Sequence, residues 1–266
     1  MSTNSNEPLS FTRLLSLSDK RPSYPKSLVE LAYEQMLSML VTMRIEPGSH
    51  IGIEALAREL QISQTPIREA LTLLEAQKLA YKIPNVGFRA ANLLTREDID
   101  ALFELRLLIE PPSAALAAER ASEETLQGLT ALAEELELAS KGNELAYAQF
   151  AEGDAKLHHL IATASGNRFI AETIQGLHVH LHIFRFLYNT NSTEKAVTEH
   201  AALIAALLKR DPAGAEEAMR EHLRASHERL DKVTVPQGST GDVAAVRDAS
   251  EQPRRKRGRP RKLPQE

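Results

Sequence analysis

The chain has 266 residues, enough for two ordinary domains, and its 42% apolar and 26% charged residues indicate a globular protein. It contains no cysteine, which excludes disulfides and thiolate metal sites, and no stretch approaches the roughly 20 apolar residues needed to cross a bilayer. The net charge of −4 is unevenly spread, because seven lysines and arginines follow Pro253 against a single acidic residue, Glu266. We therefore expect a cytoplasmic protein with one strongly basic segment.

Four segments can be distinguished by composition and periodicity. Residues 1–27 are polar and predict a flexible N-terminal arm rather than a signal peptide. Residues 28–93 combine helical periodicity with a short strand signal and predict a first folded domain. Residues 94–231 read as one helix after another and predict a second, all-helical domain. Residues 232–266 lose all apolar periodicity, which predicts a disordered basic tail.

Two short amphipathic helices are expected close together, at 53–60 (IEALAREL) and 66–76 (PIREALTLLEA). Between them lies a turn of five residues, in which Ser63 and Thr65 are both able to cap the second helix. Two short helices joined this tightly are typical of a helix-turn-helix, whose second helix enters the major groove of DNA.

A β-hairpin is expected directly after these helices. Residues 79–83 alternate like a strand, PNVG at 84–87 is a turn, and residues 88–90 return. Such a hairpin is the wing of a winged helix-turn-helix, so residues 28–93 are predicted to form a DNA-binding domain.

The segment EPGSHIGIEALARELQISQTPIREALTLLEAQKLA resembles the signature of the GntR family of transcription regulators, over about residues 30–92. The resemblance implies a homodimer that binds an operator in double-stranded DNA. It also implies that DNA contacts come from the recognition helix and the wing, through Ser63, Gln64, Thr65, Arg68, Asn85 and Gly87. Arg68 could instead pair internally with a glutamate such as Glu59 or Glu75, but recognition-helix cations usually face phosphates or bases.

Gln64 departs from the family pattern, which commonly has arginine at this position. Arginine favours guanine, whereas glutamine suits the N6 and N7 atoms of adenine. We therefore expect an altered operator preference.

Helix-capping signals divide residues 94–231 into successive helices. Thr95 and Asp98 form a capping-box pattern that opens a helix through Ile109, and Ser122 can cap the next one. Gly142–Asn143 and Ser165–Asn167 bound another helix, and Asp211–Pro212 is an N-cap followed by proline at the first helical position. The expected fold is mainly α, with an N-terminal winged helix-turn-helix and a C-terminal antiparallel all-helical bundle.

Four polar residues lie on apolar helix faces of this bundle. Asp154 and His158 are four residues apart on one face, while His200 and His222 lie on the inward faces of later helices. A lone inward histidine is usually a satisfied core residue, and an Asp–His pair is common. Taken together, however, three imidazoles and one carboxylate favour a site for zinc, nickel or manganese, one divalent ion per chain.

The motif DAKLHHLIATASGN (154–167), with Leu157 where phenylalanine is usual, resembles the FCD effector domain of FadR-like GntR regulators. The pairs around His200 and His222 and the segment FELRLLIEP (103–111) resemble the same domain. The resemblance implies that residues 94–231 form an effector-binding and dimerisation domain. The resemblance implies that Asp154, His158, His200 and His222 bind a metal ion facing a cavity. It further implies that a small organic acid completes the coordination, with Arg106 meeting the anion.

A second histidine cluster, LHVHLH at 177–182, is expected on one helix, with His178 and His182 one turn apart. By position in the family, His178 and His182 are candidate effector-binding residues lining the cavity rather than metal ligands.

The tail contains KRGRPRK (256–262), whose RGRP core is that of an AT-hook. Gly258 and Pro260 hold such a chain extended, so that Arg257 and Arg259 can lie in a narrow minor groove of A·T-rich DNA. The alternative is a generic basic tail that contacts DNA only through its charge.

The pattern as a whole predicts a ligand-responsive transcription regulator, a repressor or an activator. Two alternatives remain open, a regulator that senses the metal ion itself and a metalloenzyme that uses the Asp/His₃ site. The enzyme is disfavoured, because no hydrolase motif such as HExxH is present and the DNA-binding half would be idle.

Overall fold

The computed structural model describes residues 26–188 and 190–233, and nearly all of the predicted N-terminal arm and basic tail lie outside these ranges. Within them, the fold is mainly helical, as the sequence predicts. The DNA-reading half consists of three helices and three short strands, in the order α1 (Leu28–Val41), β1 (His50–Ile51), α2 (Ile53–Leu60), α3 (Gln64–Ala76), β2 (Ala80–Ile83) and β3 (Gly87–Ala90).

The winged helix-turn-helix is confirmed, with α2 and α3 as its two helices. Gln61 ends α2 in the left-handed conformation (φ 55°), and α3 begins at Gln64, two residues before the predicted start. Pro66 therefore lies in the first helical turn, where its missing N–H removes no intrahelical bond. Thr65 is inside the helix rather than its cap.

The wing is the β2–β3 hairpin, which belongs to an antiparallel sheet of order β1-β3-β2. Pro84 and Asn85 occupy the centre of its turn, which a hydrogen bond from Val86 N to Ile83 O closes (3.1 Å). The strand β1 was not predicted. Its two residues carry no alternation that can be detected in the sequence, and its pairing with β3 supplies the structure.

The helical half contains seven helices: α4 (Arg96–Arg120), α5 (Glu123–Ala139), α6 (Glu144–Ala164), α7 (Arg168–Leu177), α8 (Val179–Leu187), α9 (Ser192–Leu208) and α10 (Pro212–Asp231). The capping predictions at Thr95, Ser122 and Asp211 are confirmed, because each side chain accepts a backbone N–H of the first turn. The helices α4, α6, α9 and α10 pack around the polar residues singled out in the sequence. No described helix is both long and apolar enough to pass through a membrane.

The helix α4 runs to Arg120, although the sequence predicts an end near Ile109. Pro111 and Pro112 cannot donate to the carbonyls of Leu107 and Leu108, which normally ends a helix. The helix continues because tertiary packing holds it, and α4 makes its most extensive contacts with α10. Tertiary burial here overrides a strong local signal.

The predicted single helix through the second histidine cluster is wrong. His178 has a left-handed backbone (φ 49°) and separates α7 from α8, so only His180 and His182 are on the second helix. A left-handed residue ends the ladder of helical hydrogen bonds, and the following helix starts in a new direction.

Polar contacts join the DNA-reading half to the helical half. Tyr33 on α1 donates to Glu152 on α6 (2.5 Å), and Lys78 donates to the carbonyl of Gly176 (2.9 Å). Arg185 on α8 donates to Ala91 O (2.8 Å) and Asn92 O (3.1 Å), in the segment between the wing and α4. The halves thus contact each other closely, and the division at residue 93 stays a prediction.

Candidate metal centre and DNA-reading surface

The structure brings Asp154, His158, His200 and His222 together in one buried cluster. Each offers one ligand atom, and these four atoms all lie within 4.8 Å of one another. The helix α6 supplies the first two residues, α9 supplies His200 and α10 supplies His222. A single divalent ion can be reached by ligand atoms this close.

Several imidazole nitrogens in this cluster have no hydrogen-bond partner. They are Nε2 of His158 and both ring nitrogens of His200, all shielded from solvent. His200 Nε2 lies 3.2 Å from Asp154 Oδ1, but the two are not aligned as a hydrogen bond. Buried polar atoms without partners are costly, and a bound cation would satisfy nitrogen lone pairs that face one another.

Outer carboxylates fix the orientation of two of the rings. Glu110 on α4 lies 2.5 Å from His158 Nδ1, and Glu199 on α9 lies 2.8 Å from His222 Nδ1. A carboxylate on Nδ1 places the proton there and leaves Nε2 free as a ligand, the usual second layer of a metal site. Sequence analysis missed both roles. The spacing of Arg106 and Glu110 by four residues was the available signal for the first.

The two arginines beside the cluster are already paired. Arg106 Nε lies 2.5 Å from Glu110 Oε1, and Arg229 lies 2.5 and 2.9 Å from the two carboxylate oxygens of Glu199. Both arginines face the cavity, but each brings its own counter-charge.

Burial disfavours the protonated form of two imidazoles of the cluster, those of His158 and His222. It lowers the pKa of His158 and of His222 to about 4, despite the neighbouring carboxylates. Burial alone would raise the pKa of Asp154, but His180 and His200 hold it well below its usual range. Neutral imidazoles beside an ionised carboxylate are the protonation states that bind a divalent ion.

The metal-free protein is expected to lose stability as the pH falls from about 6.5 to about 4. His158 and His222 take up protons near pH 6.5 when unfolded but only near pH 4 when folded, so protons favour the unfolded chain between these values. Each such proton gives a slope of about 1.4 kcal/mol per pH unit. Urea unfolding of chelator-treated protein at pH 7, 6 and 5 measures this slope. The slope should be shallower in His222→Leu, and a flat profile in the wild type would contradict the expectation.

A small cavity adjoins the cluster. Its polar lining includes Arg106, Asp154, His180 and His222, and α8 contributes the apolar residues Ile183, Phe184 and Leu187. The enclosed space has room for about one water molecule. Arg106 is thus one of the residues that line this cavity.

His178 and His182 are not part of this lining. His182 is buried near Lys78, and burial lowers its pKa to about 4. The histidine of this group that reaches the cavity is His180, whose Nδ1 lies 2.7 Å from Asp154 Oδ2. His180 and His182 lie two residues apart on α8 and therefore point to roughly opposite sides of that helix, so only one of them faces the cavity.

Four of the predicted DNA-contacting residues are exposed at the start of α3. Ser63, Gln64, Thr65 and Arg68 are all exposed in the first turns of α3. Ser63 has the backbone geometry of an N-cap but its side chain makes no capping bond. Arg68 lies 3.5 Å from Gln64, whereas Glu59 pairs with Arg44 and Glu75 accepts from the backbone of Lys82. No ion pair of Arg68 with Glu59 or Glu75 is found among the described residues.

The wing turn presents backbone as well as side chains. Asn85 (φ 62°) and Gly87 (φ 120°) both have positive φ, a conformation in which glycine and asparagine are favoured. Arg257, Gly258, Arg259 and Pro260 of the predicted AT-hook lie outside the described residues.

A helix-turn-helix followed by a β-hairpin wing, here β2–β3, defines a DNA-binding protein of the winged-helix class. The helical half contains the buried Asp/His cluster, whose ligand atoms lie close enough together to hold an ion.

Comparison of the chain with models of known protein families shows the family to which it belongs. The model of the bacterial regulatory proteins of the gntR family matches residues 28–89, and that of the FCD domain matches residues 89–225. The chain therefore belongs to the GntR family of transcription regulators, in the group with a C-terminal FCD domain.

Individual relatives are distant but similar over most of their length. The uncharacterized HTH-type transcriptional regulator YdhC of Bacillus subtilis is 28% identical over 76% of this chain and 90% of its own. The HTH-type transcriptional repressor GlaR of Escherichia coli is 25% identical over 72% and 90%. The E. coli McbR/YncC structure matches the fold with a TM-score of 0.58, at 23% identity over 78% and 99%. YdhC and GlaR, like the two family models, are transcription regulators rather than enzymes, which removes the metalloenzyme alternative.

Proposed function

We propose that this regulator holds one divalent ion in its FCD domain and that a small carboxylate at the ion modulates operator binding by a homodimer. The observation that carries the proposal is the cluster of four buried ligand atoms within 4.8 Å, with imidazole nitrogens that lack partners. Zinc, nickel and manganese all suit this donor set. The ion, when bound, supplies a positive centre that attracts an anion.

The proposed metal and effector site uses three sets of residues: metal ligands, carboxylates that orient them, and a histidine that lines the cavity. Asp154, His158, His200 and His222 are the proposed ligands, while Glu110 and Glu199 orient two of the rings. The histidines expected to touch the effector are revised, because His180 lines the cavity and His178 and His182 do not.

DNA recognition is assigned to α3 and the wing. Ser63, Gln64, Thr65 and Arg68 form an exposed patch at the start of a helix that can enter the major groove. Asn85 and Gly87, in the wing turn, are proposed to contact the DNA beside this patch. One such module covers few base pairs, so we expect a short pseudo-palindromic site read by two protomers.

Selection of bound DNA fragments followed by effector titration tests this function. The metal-loaded protein should retain a defined operator, and a small organic acid should change its affinity for that site. A response to the metal ion alone, with no response to any acid, would support the alternative of a pure metal sensor. Operator binding that responds to neither would remove the regulatory role of the cluster.

The tail is proposed as a second, sequence-tolerant DNA contact. Deleting residues 253–266 removes seven cations, so operator affinity should fall and its dependence on salt concentration should become shallower. The preference among operators should barely change, because α3 still reads the bases. Binding titrations at several salt concentrations measure both effects.

A paired substitution separates an AT-hook from bulk charge. Arg257→Ala with Arg259→Ala removes the RGRP core, while Arg254→Ala with Arg255→Ala removes the same charge outside it. An AT-hook requires the core change to weaken binding more, mainly on operators flanked by A·T tracts. Equal losses on all flanks would leave only non-specific charge.

A further inference from the structure

A hydrogen-bond chain connects the recognition helix α3 to the helical half of the protein. The hydroxyl oxygen of Tyr33, on α1, lies 2.5 Å from Glu152 Oε1 on α6 and 2.8 Å from Gln77 Oε1. Gln77 is the residue that caps the C-terminal end of α3. The hydroxyl group has a single proton to share between the two acceptors, so its removal breaks both contacts at once.

The first helix of the helix-turn-helix is connected to α6 as well, but more weakly. Arg44 pairs with Glu59 on α2 (3.0 Å) and lies 3.8 Å from Glu144 at the start of α6. These side chains are about half exposed, and ion pairs in water contribute little to stability. Tyr33 and Glu152 are partly buried and their hydrogen bond ends on a carboxylate, which makes it the stronger connection.

The position of the Tyr33 hydrogen bonds at the far end of α3 gives them leverage over the DNA-reading surface. The helix α3 begins at Gln64 and is followed by Gln77, so the two ends are about 20 Å apart along its axis. A tilt of about 10° at the Gln77 end moves the reading end by about 3.4 Å, the rise of one base pair. Such a tilt changes where the helix reads the DNA, while its side chains stay the same.

We infer that the hydroxyl group of Tyr33 fixes the recognition helix to the helical half and thereby sets the half-site spacing that the protein accepts in its operator. This inference rests on the proposed function, because it requires two protomers joined through their helical halves. In such a dimer, the distance between the two recognition helices depends on both of these joints, and each helix must reach a major groove. Tyr33 is therefore a positioning residue, and a loose joint would let the dimer bind operators of several spacings.

Binding titrations on operators with altered spacers test the inference. The selected operator is compared with copies that have one base pair added to, or removed from, the spacer between the half-sites. The wild type should bind the altered copies at least about tenfold more weakly, because the joint must open, which costs about one hydrogen bond to a carboxylate. In Tyr33→Phe the joint is already open, so most of this penalty should disappear. The bases preferred within each half-site should not change, because Gln64 and Arg68 remain in place.

Two further variants and a control separate this role from general damage to the contact between the halves. Glu152→Gln keeps an acceptor for the phenol and should retain the wild-type spacing preference. Tyr33→Phe combined with Glu152→Leu should lose the preference, and it leaves no carboxylate without a donor if the single variant is unstable. Tyr188→Phe removes a phenol contact to a different glutamate of α6, Glu144 (3.1 Å), from within the helical half, and should keep the preference.

A spacing preference in folded Tyr33→Phe, or in the double variant, that equals the wild-type preference would overturn the inference. Loss of the preference in Glu152→Gln or Tyr188→Phe would overturn it too, because any loosening of α6 would then have the same effect. A wild-type dimer that binds all spacers equally leaves no spacing for the joint to set and has the same consequence. Selection of single half-sites bound by one protomer fails the proposed homodimer instead, which light scattering of the wild-type complex detects before any variant is compared.

Discussion

Removing the metal ion should lower the thermal stability of the wild-type protein by about 8–16 °C. An ion that binds only the folded state stabilises it by about 4 kcal/mol at a thousandfold excess over its dissociation constant, and each kcal/mol shifts the midpoint by about 2–4 °C in a chain of this size. Purified protein should contain one divalent ion per chain. His200→Ala and His222→Ala should lose the ion. Elemental analysis measures the metal content, and thermal unfolding with and without chelator measures the change in midpoint.

The chelator response separates metal loss from ordinary damage to the core. Chelation should lower the midpoint of the wild type but leave those of His200→Ala and His222→Ala unchanged. His178→Asn is the control, because asparagine tolerates the left-handed backbone at this position and the residue lies outside the cavity lining. Retention of the ion by His200→Ala together with its loss from His178→Asn would show that the histidines of residues 177–182, and not the Asp154 cluster, hold the ion.

Arg68→Ala should weaken operator binding by about 1–3 kcal/mol, which corresponds to roughly 5- to 150-fold in dissociation constant. Arg68 is exposed on α3 one turn after Gln64, and the glutamates that could neutralise it have other partners. A guanidinium at this place can reach a base edge or a phosphate. Titration of the selected operator and of an unrelated duplex shows which of the two it contacts.

Arg224→Ala provides the comparison, because it removes an equally exposed arginine from α10 in the helical half. It should leave operator affinity within a few tenths of a kcal/mol of the wild type. If correctly folded Arg68→Ala protein binds as tightly as the control, Arg68 is not a contact residue. A loss that is the same for operator and unrelated DNA would assign Arg68 to the phosphates.

The parts of this fold that the sequence predicts are those that depend on neighbouring residues. The caps at Ser122 and Asp211 follow from side chains placed beside the N–H groups of their own helices. The leucines that recur every three or four residues along α5 identify its buried face in the same way. Asp154 and His158 could be placed together for the same reason, because residues four apart share one face of a helix.

The parts that could not be predicted depend on residues that are distant in the sequence. Pro111 and Pro112 are strong local signals for a helix end, but packing of α4 against α10 outweighs them. The role of Glu110 depends on His158, which lies 48 positions later. Which histidine of LHVHLH lines the cavity depends on where α8 begins and which side it turns to the cluster. The helix break before α8 comes from the left-handed backbone of His178, a conformation that histidine rarely adopts and that no pattern in LHVHLH indicates.

The buried Arg185 gives α8 a second function besides lining the cavity. Its guanidinium is 2% exposed, burial lowers its pKa to about 10, and its described hydrogen bonds go to the carbonyls of Ala91 and Asn92, just after the wing. His180 lies on the same short helix, five residues earlier, so a rigid displacement of α8 moves both ends together. The cavity has room for about one water molecule, so the organic acid proposed above could enter only if the cavity wall moved outwards. Thermodynamic reciprocity then applies: whatever factor the acid imposes on operator affinity, the operator imposes on the affinity for the acid.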